Sequence, residues 1–313
     1  MPYVYAHYDM GQRTLKRLGA DLQEKIGRHP QAFILGCMGP DPFFFYHLPS
    51  LLPHKTYGGF GSRLHDQKVG DTMRALVHGV MQEGSGVWFS YAAGFLCHYG
   101  LDCAAHPYIF YEAGSGMNHT YFECNLDAQL MEHNGVKAAD LPQYRIISIG
   151  QEEGEALGRL YREYVGPAHG VEMKVQDYPR AVQDFSRVLR IFYNPTGRKE
   201  RIFESIQKTL HIPRYLTFNV FPLKAGFDAM NLQGEAWSLP WSDEIHHETF
   251  LDMMQAGVKD AAEMIESLGS AVSTGNAEPA LKRIGERNFS TGQPWQLKLP
   301  FIYRREPPRF PKR

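Results

Sequence analysis

The sequence predicts an all-α protein, a multi-helical single domain with long connecting loops. Three observations predict it. Apolar residues recur at helical spacing, as in Met73, Leu76, Val77 and Val80, and again in Val182, Phe185, Val188, Leu189 and Phe192. No convincing run of alternating strands and no βα repeat interrupts them. In the stretch from Phe95 to Asp127, side chains able to bind metal or carry charge repeat every four residues, a spacing that a helix turns into one face.

That stretch organises the chain. His98, Asp102 and His106 stand at i, i+4 and i+8, and span an arc of roughly 80° on a helix. After a Gly-containing break, His119 and Glu123 stand at i and i+4, with Asn118 as a cap for the second helix. All five side chains are of the kind that holds zinc or a similar divalent ion. The alternative for any one pair is a solvated face or a local ion pair. The rest of Phe95–Ile109 is small and apolar (Phe95, Leu96, Cys97, Leu101, Ala104, Ala105, Ile109), so the helix should be buried. Buried charged groups require a partner or a metal. Metal binding is therefore favoured over a purely structural polar network.

Composition narrows the function. A length of 313 residues suits one large domain or two small ones, and 43% hydrophobic with 21% charged residues is ordinary for a soluble globular chain. A net charge of -1 and a pI near 6.9 argue against a nucleic-acid partner held by broad electrostatics. The start lacks the basic region and apolar run of a signal peptide, and the apolar segment 33–52 is broken by Pro40, Asp41, Pro42, His47 and Pro49, so no transmembrane segment is expected. The expected location is cytoplasmic. The four cysteines form no CxxC pair and are expected as buried thiols.

In chain order, His7 sits in a short aromatic segment before a helix over 12–26, stopped by Gly27 and Pro30. Asp41 lies between Pro40 and Pro42, beside Phe43, Phe44 and Phe45. It is either a turn-forming residue or an acidic ligand. The three phenylalanines suit core packing or a lipid-facing surface. His65 follows a glycine-containing loop and is a ligand or a surface histidine. Helices are expected over 71–82, 151–165, 180–192, 200–210, 244–268 and 279–287, with 213–223 extended and a basic, Pro-rich tail at the end. Residues 1–270 are expected to form the helical domain, and 271–313 a short helix and extended tail.

There is no GxGxxG, no phosphate-binding loop with its lysine and no serine nucleophile elbow. The ordered set GPDPFFFY, GSRLHD, CHYGLDCAAHPYI and the H-x-x-x-E of His119 to Glu123 resembles the zinc-dependent phospholipase C family, part of a superfamily that also contains single-strand-specific nucleases. The resemblance covers His7 to Asp127 well, and NLQGEAWSLPW less specifically.

The resemblance implies an all-helical domain with metal ions in a cleft. It implies Asp41, His65, His98 and Asp102 as ligands of one zinc, and His106, His119 and Glu123 as ligands of a second. A third ion would use His7, Asp102 as a bridge, and an N-terminal tryptophan. This chain begins Met-Pro-Tyr instead, so two or three zinc ions are expected, with the His7 site weakest, differently liganded or empty. The implied activity is metal-dependent phosphoester hydrolysis, most directly cleavage of a phospholipid by zinc-activated water. Asp41 is the candidate catalytic residue, as ligand and acceptor of the water's proton. A soluble phosphodiester or phosphomonoester is the alternative substrate, and a non-catalytic metal-stabilised scaffold the alternative function. No oligomeric state is specified.

Overall fold

The computed structural model describes residues 4–47, 59–83, 86–137, 139–196, 198–199, 202, 205–206, 209 and 226–306. Its helices are α1 (Val4–Arg17), α2 (Ala20–Gly27), α3 (Pro30–Cys37), α4 (Phe60–Asp66), α5 (Val69–Gln82), α6 (Val87–Ala113), α7 (Met117–His133), α8 (Gln143–Ile146), α9 (Gln151–Leu160), α10 (Gly166–Ala168), α11 (Asp177–Phe192), α12 (Phe250–Thr274) and α13 (Glu278–Ile284). Between α9 and α10 the chain continues through one π-helical segment, Tyr161–Val165. Among the described residues the only ladder is β1 (Trp237–Ser238) against β2 (Ile245–His246), antiparallel with Trp237 opposite His246. The protein is all-α.

Helix α6 is the axis. It is apolar all round and buried along nearly its whole length, which identifies it as a core helix rather than an amphipathic surface one. No described helix is long and apolar enough to cross a membrane. Helix α3 packs against one side of α6 and α12 against another. The α3–α6 crossing is backbone-close. A Cβ at Gly36 would stand 2.0 Å from the Tyr91 carbonyl oxygen, and one at Gly94 would stand 2.0 Å from that of Phe33. Only glycine at both positions permits this approach. The close crossing brings the C-terminal end of α3 beside His98.

Several boundaries differ from the sequence expectation. The single helix expected over 12–26 is two, because Gly19 is extended (φ -63°, ψ 155°) between α1 and α2. Helix α1 also starts earlier, at Val4, so His7 lies inside a helix rather than in a segment before one. Gly116 precedes α7, which puts Asn118 within the helix instead of at its cap. The helix expected from 244 starts at Phe250, because Thr249 and Asp252 form a reciprocal capping box, and it runs to Thr274, stopped by Gly275 in the left-handed region (φ 73°). Residue 270 thus falls inside α12. Of the helix expected over 200–210, residues 202, 205, 206 and 209 are described and helical, while 213–223 and 307–313 lie outside the described residues.

The phenylalanine triplet divides by side. Phe43 packs on Phe60 and Tyr161, with ring centroids 4.9 and 5.0 Å away, and Phe45 stacks on Phe185 at 4.5 Å. Phe44 is 38% exposed. Two of the three rings are core anchors, and they hold the turn that carries Asp41.

Candidate metal centre

The eight side chains singled out in the sequence converge from five local elements. His7 comes from α1, Asp41 from the 3₁₀ turn Asp41–Phe44, and His65 from the last turn of α4. Helix α6 supplies His98, Asp102 and His106, and α7 supplies His119 and Glu123. They form three groups, each with one ligand atom per residue and all such atoms within 4.8 Å: His7, His98 and Asp102; Asp41, His65 and His98; and His106, His119 and Glu123. His98 belongs to two of them.

Asp102 is at the centre. Its Oδ1 lies 3.4 Å from His7 Nε2. Its Oδ2 lies 3.1 Å from His98 Nε2, 3.7 Å from His106 Nδ1 and 3.8 Å from His65 Nε2. One oxygen therefore faces the His7 side and the other faces the His65–His98 side. Asp41 Oδ1 is 3.3 Å from His65 Nε2. In the third group Glu123 Oε1 lies 3.0 Å from His119 Nε2 and 3.5 Å from His106 Nε2.

The histidines are oriented from behind. His65 Nδ1 donates to the Gly61 carbonyl at 2.8 Å, His98 Nδ1 to Cys37 at 3.2 Å, His106 Nδ1 to Phe289 at 3.1 Å and His119 Nδ1 to Gly114 at 3.0 Å. A carbonyl accepts only, so each Nδ1 carries a proton, and it is the Nε2 of each ring that is left to face inward as a ligand atom. This is the arrangement that metal-binding histidines use to fix tautomer and direction. His98 Nε2 is fully buried with no aligned hydrogen bond. An inward nitrogen left this way is costly unless a cation meets it. The donor set, nitrogen and carboxylate oxygen only, suits zinc.

Glycine makes room for one of these rings. Gly39 has φ +49°, and a Cβ there would sit 2.5 Å from the His98 ring. His7 also stacks on His98, with ring centroids 4.0 Å apart.

Burial and charge act against each other on the acids. Burial favours their neutral forms, but His106 and His98 hold the Asp102 carboxyl well below the usual carboxylate range. His119 and His106 do the same for Glu123, and His65 and His98 hold Asp41 low. Burial opposes charge on His106 too, yet Asp102 and Glu123 raise it to about 9. Burial, reinforced by His98, pushes His7 down to about 3. The centre concentrates negative charge, and divalent ions would take the place of protons there.

Two contributors lie outside the sequence expectation. Phe289, from the loop after α13, gives its carbonyl to His106 and its ring to His65 at 5.0 Å and to His98 at 5.9 Å. Nothing in Asn288–Gly292 marks it as part of a site 183 residues from His106. Asp127 accepts the backbone N–H groups of Tyr5 and Ala6 and so holds the start of α1. Its position one turn after Glu123 was the available hint. The four cysteines are buried free thiols, and Asp9 pairs with Arg13 at 2.8 Å.

The family model described as zinc dependent phospholipase C matches residues 6–166, a span that contains all eight of these side chains. No curated protein and no solved structure matches the chain.

Proposed function

The chain belongs to the zinc-dependent phospholipase C family, and from that premise we propose that it hydrolyses a phospholipid at the phosphodiester bond on the glycerol side, using two or three zinc ions. The observation that carries this reading is the set of three ligand groups around Asp102, two of which share His98. At the family level the activity is metal-dependent phosphoester hydrolysis.

Asp41, His65 and His98 with Asp102 would hold one ion and His106, His119 and Glu123 a second, while His7 with Asp102 would serve a third, because the one inward nitrogen of His98 can meet only one ion. Bound zinc supplies charge neutralisation for a phosphoester and a water made acidic enough to attack near neutral pH. The side chains do the rest. Asp41 is ionised, 8% exposed and held by a turn anchored in the core, so it is placed to take a proton at a carboxylate oxygen. Asp102, fixed among four imidazoles, orients His7 and His98 rather than exchanging a proton. The backbone carbonyls behind the histidines limit rotation of the rings, so the centre keeps its shape.

The test is a panel on zinc-loaded protein: phosphatidylcholine vesicles, a short-chain soluble phosphatidylcholine, bis(p-nitrophenyl) phosphate and single-stranded DNA. Phosphocholine and diacylglycerol are the expected products. Turnover of the small diester alone would assign a soluble substrate. Full zinc loading with no turnover of any of the four would overturn the hydrolase reading in favour of a scaffold.

A further inference from the structure

Beyond the span matched by the family, the chain returns to the metal centre. Residues 288–301 line a cavity of about 450 Å³ against α6 and the turn before α7. Its lining combines aromatic rings, Phe110, Trp295 and Phe301, with polar side chains, among them Asp66, Ser290 and Lys298. Two of these positions adjoin the centre. The Phe110 ring lies 4.5 Å from His119 and 5.7 Å from His106, and Asp66 directly follows His65. The volume is in the range of small-ligand sites.

The outer lip of this cavity is an arm pinned to the body. Ile302 and Tyr303 donate their backbone N–H groups to the Pro240 carbonyl at 2.6 and 2.8 Å, and Arg305 donates its own to Tyr111 at 2.9 Å. The Arg305 guanidinium pairs with Glu112 at 2.7 Å and Glu235 at 2.9 Å. Phe301 packs on Phe110 at 4.6 Å. The arm is thus fixed, yet it displays apolar side chains: Ile302 is 67% exposed, Leu297 56%, Phe301 44% and Tyr303 40%. Such a concentration in seven residues marks an interaction surface rather than scattered exposure. Charge selects the partner. Residues 298–313 hold six lysines and arginines against one glutamate in the sequence, and of those in the described arm Arg304 pairs with Glu306 and Arg305 with Glu112 and Glu235, which leaves Lys298 as its cation without a described ion pair. Apolar side chains among basic ones fit the interface of an anionic bilayer, where rings and aliphatic groups enter the headgroup layer and cations meet the surface charge.

We propose that the arm from Trp295 to Arg305 seats the protein on an anionic phospholipid surface, with the cavity beneath it receiving the lipid on its way to the metal centre. This rests on the phospholipid reading above.

The test is co-sedimentation of the full zinc-loaded chain with vesicles of phosphatidylcholine alone and of phosphatidylcholine mixed with phosphatidylserine. Tighter binding to the mixed vesicles is expected. Ile302→Asp should weaken that binding by about tenfold or more, since it removes an inserted aliphatic group and adds a like charge. Lys298→Glu should remove the preference for the anionic vesicles. Zinc content and thermal midpoint of Ile302→Asp should match the parent, because the side chain is exposed. Equal binding to both compositions, no binding, or unchanged binding by Ile302→Asp would overturn the proposal. A concentration-dependent dimer abolished by Ile302→Asp would overturn it in favour of a second copy as the occupant. Turnover of bis(p-nitrophenyl) phosphate, run in parallel, separates the two readings. In the parent protein, vesicle binding without turnover counts against the hydrolase, and turnover without vesicle binding counts against the surface.

Discussion

Asp127 Oδ1 accepts the backbone N–H of Ala6 at 2.9 Å, joining α7 to the first turn of α1 across 121 residues of sequence. Its other oxygen accepts from Tyr5 N at 2.9 Å and from Gln143 Nε2 at 2.9 Å. The first N–H groups of a helix have no partner within the helix, and a carboxylate there also meets the positive end of the helix dipole. Asp127 is a cap supplied from another helix, and the turn it fixes presents His7 to Asp102.

Asp127→Asn is therefore expected to destabilise the protein by about 1–3 kcal/mol, since the amide can accept through one oxygen only. It should also weaken the ion held by His7 before those of the other groups. Sequential chelation followed by metal analysis checks the second point. Stability should show a pH signature. Burial, with Glu123 adding to it, pushes the Asp127 carboxyl up to about 7 despite the Tyr5 and Ala6 donors. The unfolded acid titrates near 4, so between about 4 and 7 the folded state binds more protons, and the stability contributed by Asp127 falls as pH rises. The penalty of Asp127→Asn should be larger at the acid end of that window than above it. Denaturant titrations of both proteins across that range decide it, because other titrating groups cancel in the difference.

Asp102 and His119 should differ in reach. Asp102 touches the groups of His7 and of His65 and His98, whereas His119 belongs to one group only. Asp102→Ala is expected to cost ions from both of its groups, and His119→Ala from its own alone. Metal analysis of the purified variants reads this directly. Equal losses in the two would rule out a bridging role for Asp102.

Asp41→Asn keeps size and one oxygen while removing the proton acceptor. If zinc content is retained, kcat should fall by about a hundredfold or more, the lower end of what a positioned acid or base contributes. A variant that keeps both its zinc and its full rate would leave Asp41 as a ligand only.

The α3–α6 crossing predicts a contrast between two glycines. Gly94→Ala places a Cβ 2.0 Å from the Phe33 carbonyl oxygen, so the helices must separate, at a cost at or above the usual overpacking range of about 1–3 kcal/mol. Separation would also draw the Cys37 carbonyl away from His98. Gly27, near the end of α2, has nothing within 4 Å, and Gly27→Ala should be neutral or stabilising by up to about 1 kcal/mol. Chemical denaturation of the pair, with zinc content measured on each, provides the check.

The helical class and the ligand candidates were legible in the sequence, because both are local. Spacing at i, i+4 fixes which side chains share a helix face, so His98, Asp102 and His106, and likewise His119 and Glu123, could be read together without knowing any partner. The proline-bounded Asp41 and the isolated His65 had no such geometry of their own, and their place rested on the family resemblance. Tertiary structure alone decided the rest. Whether His7 lies in a helix depends on Asp127, which satisfies the start of α1 from 121 residues away. How close α3 comes to His98 depends on two glycines 58 positions apart meeting at one crossing. The orientation of His106 depends on a carbonyl from Phe289, and a backbone oxygen has no residue type to betray it. Hydrogen bonds and contacts between distant segments carry no period in the chain, so they become visible only once the helices have packed.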